Sequence, residues 1–499
     1  MKSSSALFVS LALLCAACGP KPTGEMKGRG VLVIAIDALR ADHMSGLGYD
    51  RKTTPVLDNL AAQGVTFSSA WSAAPDVVPA HAAILTGCDP RLAQRPSVKV
   101  TGRESELASW YVPDALPRLS QQFLAQGFET AAFVDHAALS PVHGFAKGFQ
   151  QLVGLSGSDA APQAQIGFEG VAARFMNWLN AHPPARSWFA YVHVGDLERL
   201  WQRVETDPHW DTFFEPRPEL AHVPAVADGD HVFFAVPRGR WSGGTLSLGE
   251  YEARYDGALR QMDTKLARLF DNMRRRGWLE NTTIVIVGTH GVSLGESGLY
   301  ADSGTLSDTD LHVPLIIRPP LKFDAPRGHR STILVSTLDI APTLLEMHAI
   351  PVSRAMQGVS LLDAVRGLST PVRGIAFASG GLQRGRLALD TRYCFEESWP
   401  GEALDPQVVR SWYGDTLDHR GEARLFLHDR ESASGPGHVE GSSPDASATD
   451  RLSRACSDWF AAVDDARALL HRPTAASAVE SGALIDDLVK RGLLGPPIK

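Results

Sequence analysis

Much that would classify a chain quickly is missing from this one. Past its N-terminus no run approaches the roughly 20 apolar residues of a membrane-spanning helix, which excludes a multi-span membrane protein. Long basic tracts are absent, and 48 Lys and Arg against 56 Asp and Glu give a formal charge of −8. A mildly acidic chain of this kind is not expected to bind nucleic acid. Cysteine is scarce, at five residues. Cys15 and Cys18 fall in the leader, leaving Cys88, Cys394 and Cys456, an odd number that rules out a full disulfide framework. In an oxidising compartment Cys394 with Cys456 is the expected bridge, and Cys88 is expected to be a buried thiol. No internal repeat is visible, which argues against a repeat architecture.

What is present begins with a leader. Lys2, an apolar stretch over 6–17 and then Cys18-Gly19 describe a secretory signal. Ala16-Ala17-Cys18 resembles a bacterial lipoprotein cleavage box, although Cys15 stands where Leu is usual. That resemblance makes Cys18 the lipidated residue and the protein membrane-anchored rather than membrane-spanning. With no Asp after Cys18, it also implies outer-membrane sorting, facing the periplasm or the exterior. An ordinary signal peptide with an incidental cysteine is the alternative.

Residues 31–36 form a continuous apolar run, as expected of a strand buried on both faces of a mostly parallel sheet. The signal repeats at 130–134, 189–194, 283–287 and 315–317, with amphipathic helical stretches at 55–63, 171–179 and 251–275. This alternation predicts a doubly wound α/β sheet flanked by helices. Ligands of such sheets sit beyond the carboxyl ends of the strands. Asp37 follows the first strand, His193 ends another, and Thr289 and His290 follow a third. After about residue 370 the pattern changes to short strands at 375–378, 386–389 and 424–427. A flexible loop is expected at 432–447, then helices at 452–470 and 483–494. The predicted organisation is a signal peptide at 1–17, a linker at 18–29, an α/β domain at 30–368 and a small α+β subdomain at 369–499.

Val77 is the most informative residue. It lies in Ala74-Pro75-Asp76-Val77-Val78-Pro79-Ala80-His81, where Pro79 and the small residues after it predict a helix start. Val77 is thus expected just before a helix N-terminus, where free N–H groups favour an anion and would activate Ser, Thr or Cys. Valine offers neither a nucleophile nor a cap.

The segment resembles the nucleophile loop of the sulfatase family, in the alkaline phosphatase superfamily. There Cys, Ser or Thr precedes one residue, Pro-Ser, Arg or His, and an apolar run ending in Thr-Gly. Pro79, His81, Thr86 and Gly87 match, while Val77 holds the nucleophile position and Ala80 that of the serine. Similarity continues in the family's order at 36–43, 48–49 with 54–61, 189–193, 255–257 with Asp263, 277–291, 313–317 and 339–345. The resemblance spans residues 30–365 and implies an alkaline-phosphatase/sulfatase-like fold.

It also implies a chemistry that this chain does not carry. Ester hydrolysis in the family uses a divalent cation held by carboxylates, a nucleophile on that cation and a proton donor for the leaving group. Asp37 matches the first ligand, but Ala38 stands where a second Asp is frequent. The family's Ser-Asp-His-Gly-Glu reads Gly288-Thr289-His290-Gly291-Val292, so Thr289 replaces a carboxylate and His290 remains. Gly-Glu-His-Gly becomes Gly295-Glu296-Ser297-Gly298, and the cation that follows is lost in Tyr300-Ala301-Asp302-Ser303. After His193, Glu198 replaces a second histidine.

The candidate site is therefore Asp37, Thr289 and His290 at the metal positions, with Val77, His81, His193 and Glu198 at the catalytic ones. His81 reads equally well as a packed core residue, and His193, at the end of an apolar strand, reads more readily as structural than as catalytic. Arg40 with Asp42 is expected as a structural pair, and Arg274 to Arg276 as a solvated helix end. The expected protein is a degenerate, sulfatase-like envelope lipoprotein. It would bind an anionic small molecule, a sulfated or phosphorylated ester, or a protein partner without turnover. It would hold no cofactor or a weakly bound divalent cation. The alternative is an active sulfuric or phosphoric ester hydrolase using Ca²⁺ or Mg²⁺, with Asp76, Glu198 or Asp302 completing a rearranged site.

Overall fold

The computed structural model describes residues 30–94, 110–154, 167–183, 185–199, 247–295, 300–380, 385–398, 424–429 and 446–470. Short pieces at 215–217, 226–227 and 236–237, and residues 486, 489 and 490, are described as well. Cys18 and the rest of the leader, the linker, most of the 432–447 loop and most of the 483–494 helix lie outside the described residues.

Eight strands make the central sheet: β1 (Gly30–Ile36), β2 (Val65–Phe67), β3 (Glu129–Phe133), β4 (Gln151–Val153), β5 (Trp188–Val194), β6 (Thr282–Gly288), β7 (Leu315–Arg318) and β8 (His329–Ser331). Their order is β8-β2-β7-β6-β1-β5-β3-β4. Only β7 pairs antiparallel, with β6 and β2; every other pairing is parallel. The central strands β1, β5 and β6 are buried along their whole length, which is why each reads as an unbroken apolar run.

Alternate residues of β1 serve two cores. Leu32, Ile34 and Ile36 pack with Val171, Phe175 and Leu179 of α4 (Gly167–Ala181) and with Tyr255, Leu259, Met262 and Leu266 of α5 (Leu248–Arg275). Val31, Val33 and Ala35 face the other way. They pack with α2 (Val77–Thr86), α3 (Leu119–Ala125) and α6 (Ile340–Met347). Each such buried aliphatic side chain contributes roughly 1.5–3 kcal/mol. The helix α1 (Pro55–Ala61), with proline in its first turn, packs against α5. The Asp263 carboxylate accepts the free N–H groups of Val56 and Leu57 at 2.9 Å each, satisfying donors that a helix start leaves open.

A second, antiparallel sheet follows: β9 (Ala376–Gly380), β10 (Gly385–Leu389), β11 (Tyr393–Ser398) and β12 (Arg424–Asp429). The helix α7 (Ala446–Leu470) lays Leu452, Cys456 and Phe460 on Phe377, Ala388 and Phe395. It is tied to the main body by Trp459 Nε1 on Asp89 Oδ2 at 2.8 Å and by Arg91 with Asp464 at 2.6 Å.

Two expectations need correction. Cys394 and Cys456 are both free and buried. They cannot bridge because strand alternation sends Cys394 to the Trp71–Leu311 cluster, while Cys456 faces the cluster of Phe395 on the opposite side of the sheet. The helix start also lies two residues earlier than expected. Asp76 is extended (φ −122°, ψ 153°) and serves as N-cap, so Val77 is the first helical residue rather than a loop residue, and Pro79 the third. The Arg40–Asp42 pair is present and bidentate, at 2.9 and 2.7 Å. Cys88 is buried, with its thiol pushed up to about 12 by that burial.

Candidate functional site

The register of β1 builds the site. Ala35 lies beside His193 of β5, and Ile36 beside Gly288 of β6. One residue further, the Asp37 N–H donates to Val194 O at 2.9 Å and the Thr289 N–H donates to Ile36 O at 2.9 Å. Parallel pairing thus delivers Asp37, His193 and Thr289 to one edge of the sheet, and α2 lowers His81 onto the same point.

At that point four side chains meet, all fully buried. His193 Nε2 donates to Asp37 Oδ2 at 2.7 Å, and His81 Nε2 donates to Asp37 Oδ1 at 3.1 Å. Thr289 Oγ1 donates to the same Oδ1 at 2.5 Å. Behind them, Tyr191 Oη lies 2.5 Å from His81 Nδ1, and the Asp135 N–H donates to His193 Nδ1 at 3.1 Å. Burial alone would raise the Asp37 pKa, but the two imidazoles beside it hold it well below the usual carboxylate range. Burial lowers His81 to about 4 despite Asp37, so its ring is neutral at pH 7.

The backbone around Asp37 is unusual. Ala38 is left-handed (φ 56°), a conformation costly for a residue with a Cβ. Tyr255 holds it, donating to Ala38 O at 2.8 Å while accepting the Arg40 N–H at 3.0 Å. Gly291 is needed for close approach, since a Cβ there would stand 1.8 Å from the Thr309 carbonyl oxygen.

His290 lies apart from the four. Its Nδ1–H donates to Gly291 O at 2.7 Å, and its buried Nε2 has no hydrogen-bond partner among the described residues. Burial disfavours its charged form, but Asp37, Glu198 and Asp76 outweigh that and raise its pKa. Glu198 sits half-buried in the one-turn helix Asp196–Arg199. Val77 is partly buried and packs against the apolar cluster that holds Val78 and Ala82. The side chains of Glu296, Ser297 and Asp302 lie outside the described residues.

The structure therefore brings Asp37, His81, His193 and Thr289 together, with His290, Glu198 and Asp76 within electrostatic reach. Sequence reasoning missed Tyr191, Asp135, His136 and Asp310. His136 follows β3 at the same sheet edge, its ring 6.3 Å from that of His193; the rule that placed Asp37 and His193 could have found it. Asp310 gave no local signal. Its Oδ2 accepts from Gly304 N and Thr305 N, burial pushes it up to about 7, and its Oδ1 has no partner among the described residues.

Asp37, His81 and His193 form the group of three metal-capable side chains found among the described residues. One carboxylate with two imidazoles is far from the six to eight oxygens Ca²⁺ takes, or the oxygen octahedron of Mg²⁺. These residues do not fit the hard dication that the resemblance implies.

Comparison with known proteins places this geometry. The family model described as "Sulfatase" matches residues 29–349. A "Sulfatase" of Formosa agariphila is 24% identical over 407 residues, covering 68% of this chain and 73% of its own. Among solved structures, a 2-O GAG sulfatase superposes with a TM-score of 0.62 at 18% identity, over 88% of this chain and 91% of that one. The phosphonate monoester hydrolase of Agrobacterium radiobacter gives a TM-score of 0.63 at 17% identity, over 87% and 95%. These two likenesses establish the fold, a mainly parallel sheet flanked by helices with a small antiparallel C-terminal sheet. With the family model spanning well over half its length, the chain belongs to the sulfatase family.

Proposed function

We propose that this is a catalytically degenerate sulfatase-family lipoprotein of the cell envelope that binds an anionic ligand or a protein partner without hydrolysing it. One observation carries the reading: the nucleophile position holds Val77, partly buried against the apolar core at the first turn of α2. Losing an attacking group alone costs several orders of magnitude in rate. Here the metal carboxylate is also Thr289, and the second histidine is Glu198. The N–H groups at the start of α2 and the unpartnered His290 Nε2 are what would receive a sulfate, a phosphate or an acidic side chain.

Residues 30–368 are read as the α/β domain and 369–499 as the C-terminal subdomain, supported by the separate four-stranded sheet of the latter. Anchoring through lipid on Cys18, at the outer membrane, is supported by the leader. No helix among the described residues is long and apolar enough to cross a membrane. Cys18→Ala is expected to release the protein from the membrane fraction.

The test is an assay of the purified mature protein with aryl sulfate and aryl phosphate. No turnover above buffer is expected; turnover abolished by Asp37→Ala would refute the proposal. A second reading, an active ester hydrolase with a rearranged site, draws its support from the Asp37–His81–His193 group and from Asp76 and Glu198 beside His290.

A further inference from the structure

We infer that the Asp37 centre is a metal-independent clamp, in which His81, His193 and Thr289 donate three hydrogens to the carboxylate that a divalent cation would otherwise neutralise. The inference deepens the non-hydrolytic reading but rests on separate geometry, namely the direction of each hydrogen bond around the cluster.

His193 fixes the argument. The Asp135 N–H points at Nδ1 from 3.1 Å, so that nitrogen carries the lone pair. The ring hydrogen is then on Nε2, directed at Asp37 Oδ2 2.7 Å away. A metal-ligating imidazole has the reverse arrangement, with its lone pair on the metal and its remote N–H donated to an acceptor. Shifting the hydrogen to Nδ1 would set two donors face to face, with Asp135 and His193 both buried, at the cost of an unmade buried hydrogen bond.

His81 follows the same logic. If its hydrogen were on Nδ1, the Nε2 lone pair would confront Asp37 Oδ1 at 3.1 Å. With the hydrogen on Nε2, Nδ1 accepts from the Tyr191 hydroxyl, and the chain runs Tyr191 to His81 to Asp37. Thr289 has one hydroxyl hydrogen, and its Oγ1 lies 2.5 Å from Asp37 Oδ1 but 3.5 Å from its other oxygen neighbour, Ile36 O. A carboxylate offers about four lone-pair sites, and three are filled from inside the protein. The donor set of two imidazoles and one carboxylate suits Zn²⁺ better than Ca²⁺, yet both ring nitrogens that would bind zinc already carry hydrogen. The clamp joins β1, β5, β6, α2 and the turn after β3.

The experiment uses the mature wild-type protein, purified without chelator and analysed for metal before any chelator is added. Melting temperature is read in EDTA and after adding Ca²⁺, Mg²⁺ or Zn²⁺. ¹⁵N-histidine spectra assign the His81 and His193 tautomers, with His81→Gln and His193→Gln identifying the signals. Equal melting temperatures, no stoichiometric metal and Nε2–H on both rings are expected. Copurifying stoichiometric metal, a rise of several degrees on adding any of the three ions, or an Nδ1–H tautomer of His193 overturns the clamp. The metal analysis and melting temperatures of the wild type decide even if the variants fail to fold. A protein that holds metal and turns nothing over sinks the clamp and leaves the non-hydrolytic reading. Metal-independent hydrolysis does the opposite.

Discussion

Thr289→Asp restores the residue type that the family pattern carries and should make the protein worse. The hydroxyl now donates to Asp37 Oδ1 at 2.5 Å in a fully buried setting. A carboxylate in its place would stand about 4 Å from that of Asp37, where two like charges repel by about 4 kcal/mol at an effective dielectric of 20. The lost hydrogen bond to a charged group adds roughly 1.5–3 kcal/mol. The pair escapes part of this by keeping a proton; raising one carboxyl from about 4 to 7 costs about 4 kcal/mol at pH 7. A net loss of about 4–5 kcal/mol follows, which at roughly 1–1.5 °C per kcal/mol for a unit of this size lowers the melting temperature by about 4–7 °C. The loss should shrink towards pH 5, because a carboxyl with a raised folded pKa stabilises below its unfolded value and loses that contribution as pH rises. Calorimetry in chelator at pH 5 and 7.5 reads both effects. Ca²⁺ should recover part of the loss in the variant and give nothing to the wild type. A variant as stable as wild type in chelator would show that the Thr289 hydrogen is not holding Asp37, and the reasoning fails.

Under the non-hydrolytic reading, Val77→Cys and Val77→Ser are expected to leave aryl sulfate and aryl phosphate untouched, since Thr289 and Glu198 replace residues of the family pattern as well; multiple turnover by either would show an otherwise competent site. Glu396, buried in β11, is pushed by that burial up to about 7 from its usual 4.5. Its contribution is present below about pH 4.5 and gone above 7. Glu396→Gln should therefore match wild type at pH 4 and exceed it by about 3 kcal/mol at pH 8 in denaturant melts. Gly291→Ala puts a Cβ 1.8 Å from Thr309 O and should cost more than about 3 kcal/mol by the same melts, with equal stability counting against this close approach. Trp459→Phe removes the 2.8 Å bond to buried Asp89 and should cost about 1–2 kcal/mol; no change would mean that α7 does not depend on it.

The fold was legible wherever burial wrote itself into composition. Residues 31–36, 189–194 and 283–287 are apolar because both faces of β1, β5 and β6 are covered, and the three C-terminal strand candidates correspond to β9, β10 and β12. Asp37, His193, Thr289 and His290 were found because each follows or ends a strand. What was not legible depends on direction. No sequence pattern says that Tyr191 backs His81, that the Asp135 N–H faces His193, or that strand alternation separates Cys394 from Cys456. The helix start was misplaced because Pro79 suits any position of a first turn, and Asp76 takes the cap conformation without using its carboxylate as a cap.

Listing absent groups understates what this site contains. A dry interior does not tolerate an unpaired carboxylate, so replacing the metal-side Asp by a neutral residue and omitting the cation would leave Asp37 exposed to that cost. The chain meets it with donors whose own far sides are satisfied: Tyr191 behind His81, and the Asp135 N–H behind His193. The arrangement is coupled, because removing either backing group frees a ring to turn its lone pair towards Asp37. Tyr191→Phe and His81→Gln should then cost less together than the sum of their separate effects, with a coupling of about 0.5–3 kcal/mol, as groups in one network do. Strict additivity would mean that His81 and Tyr191 act independently, and that the buried charge of Asp37 is balanced by something other than this chain of hydrogen bonds.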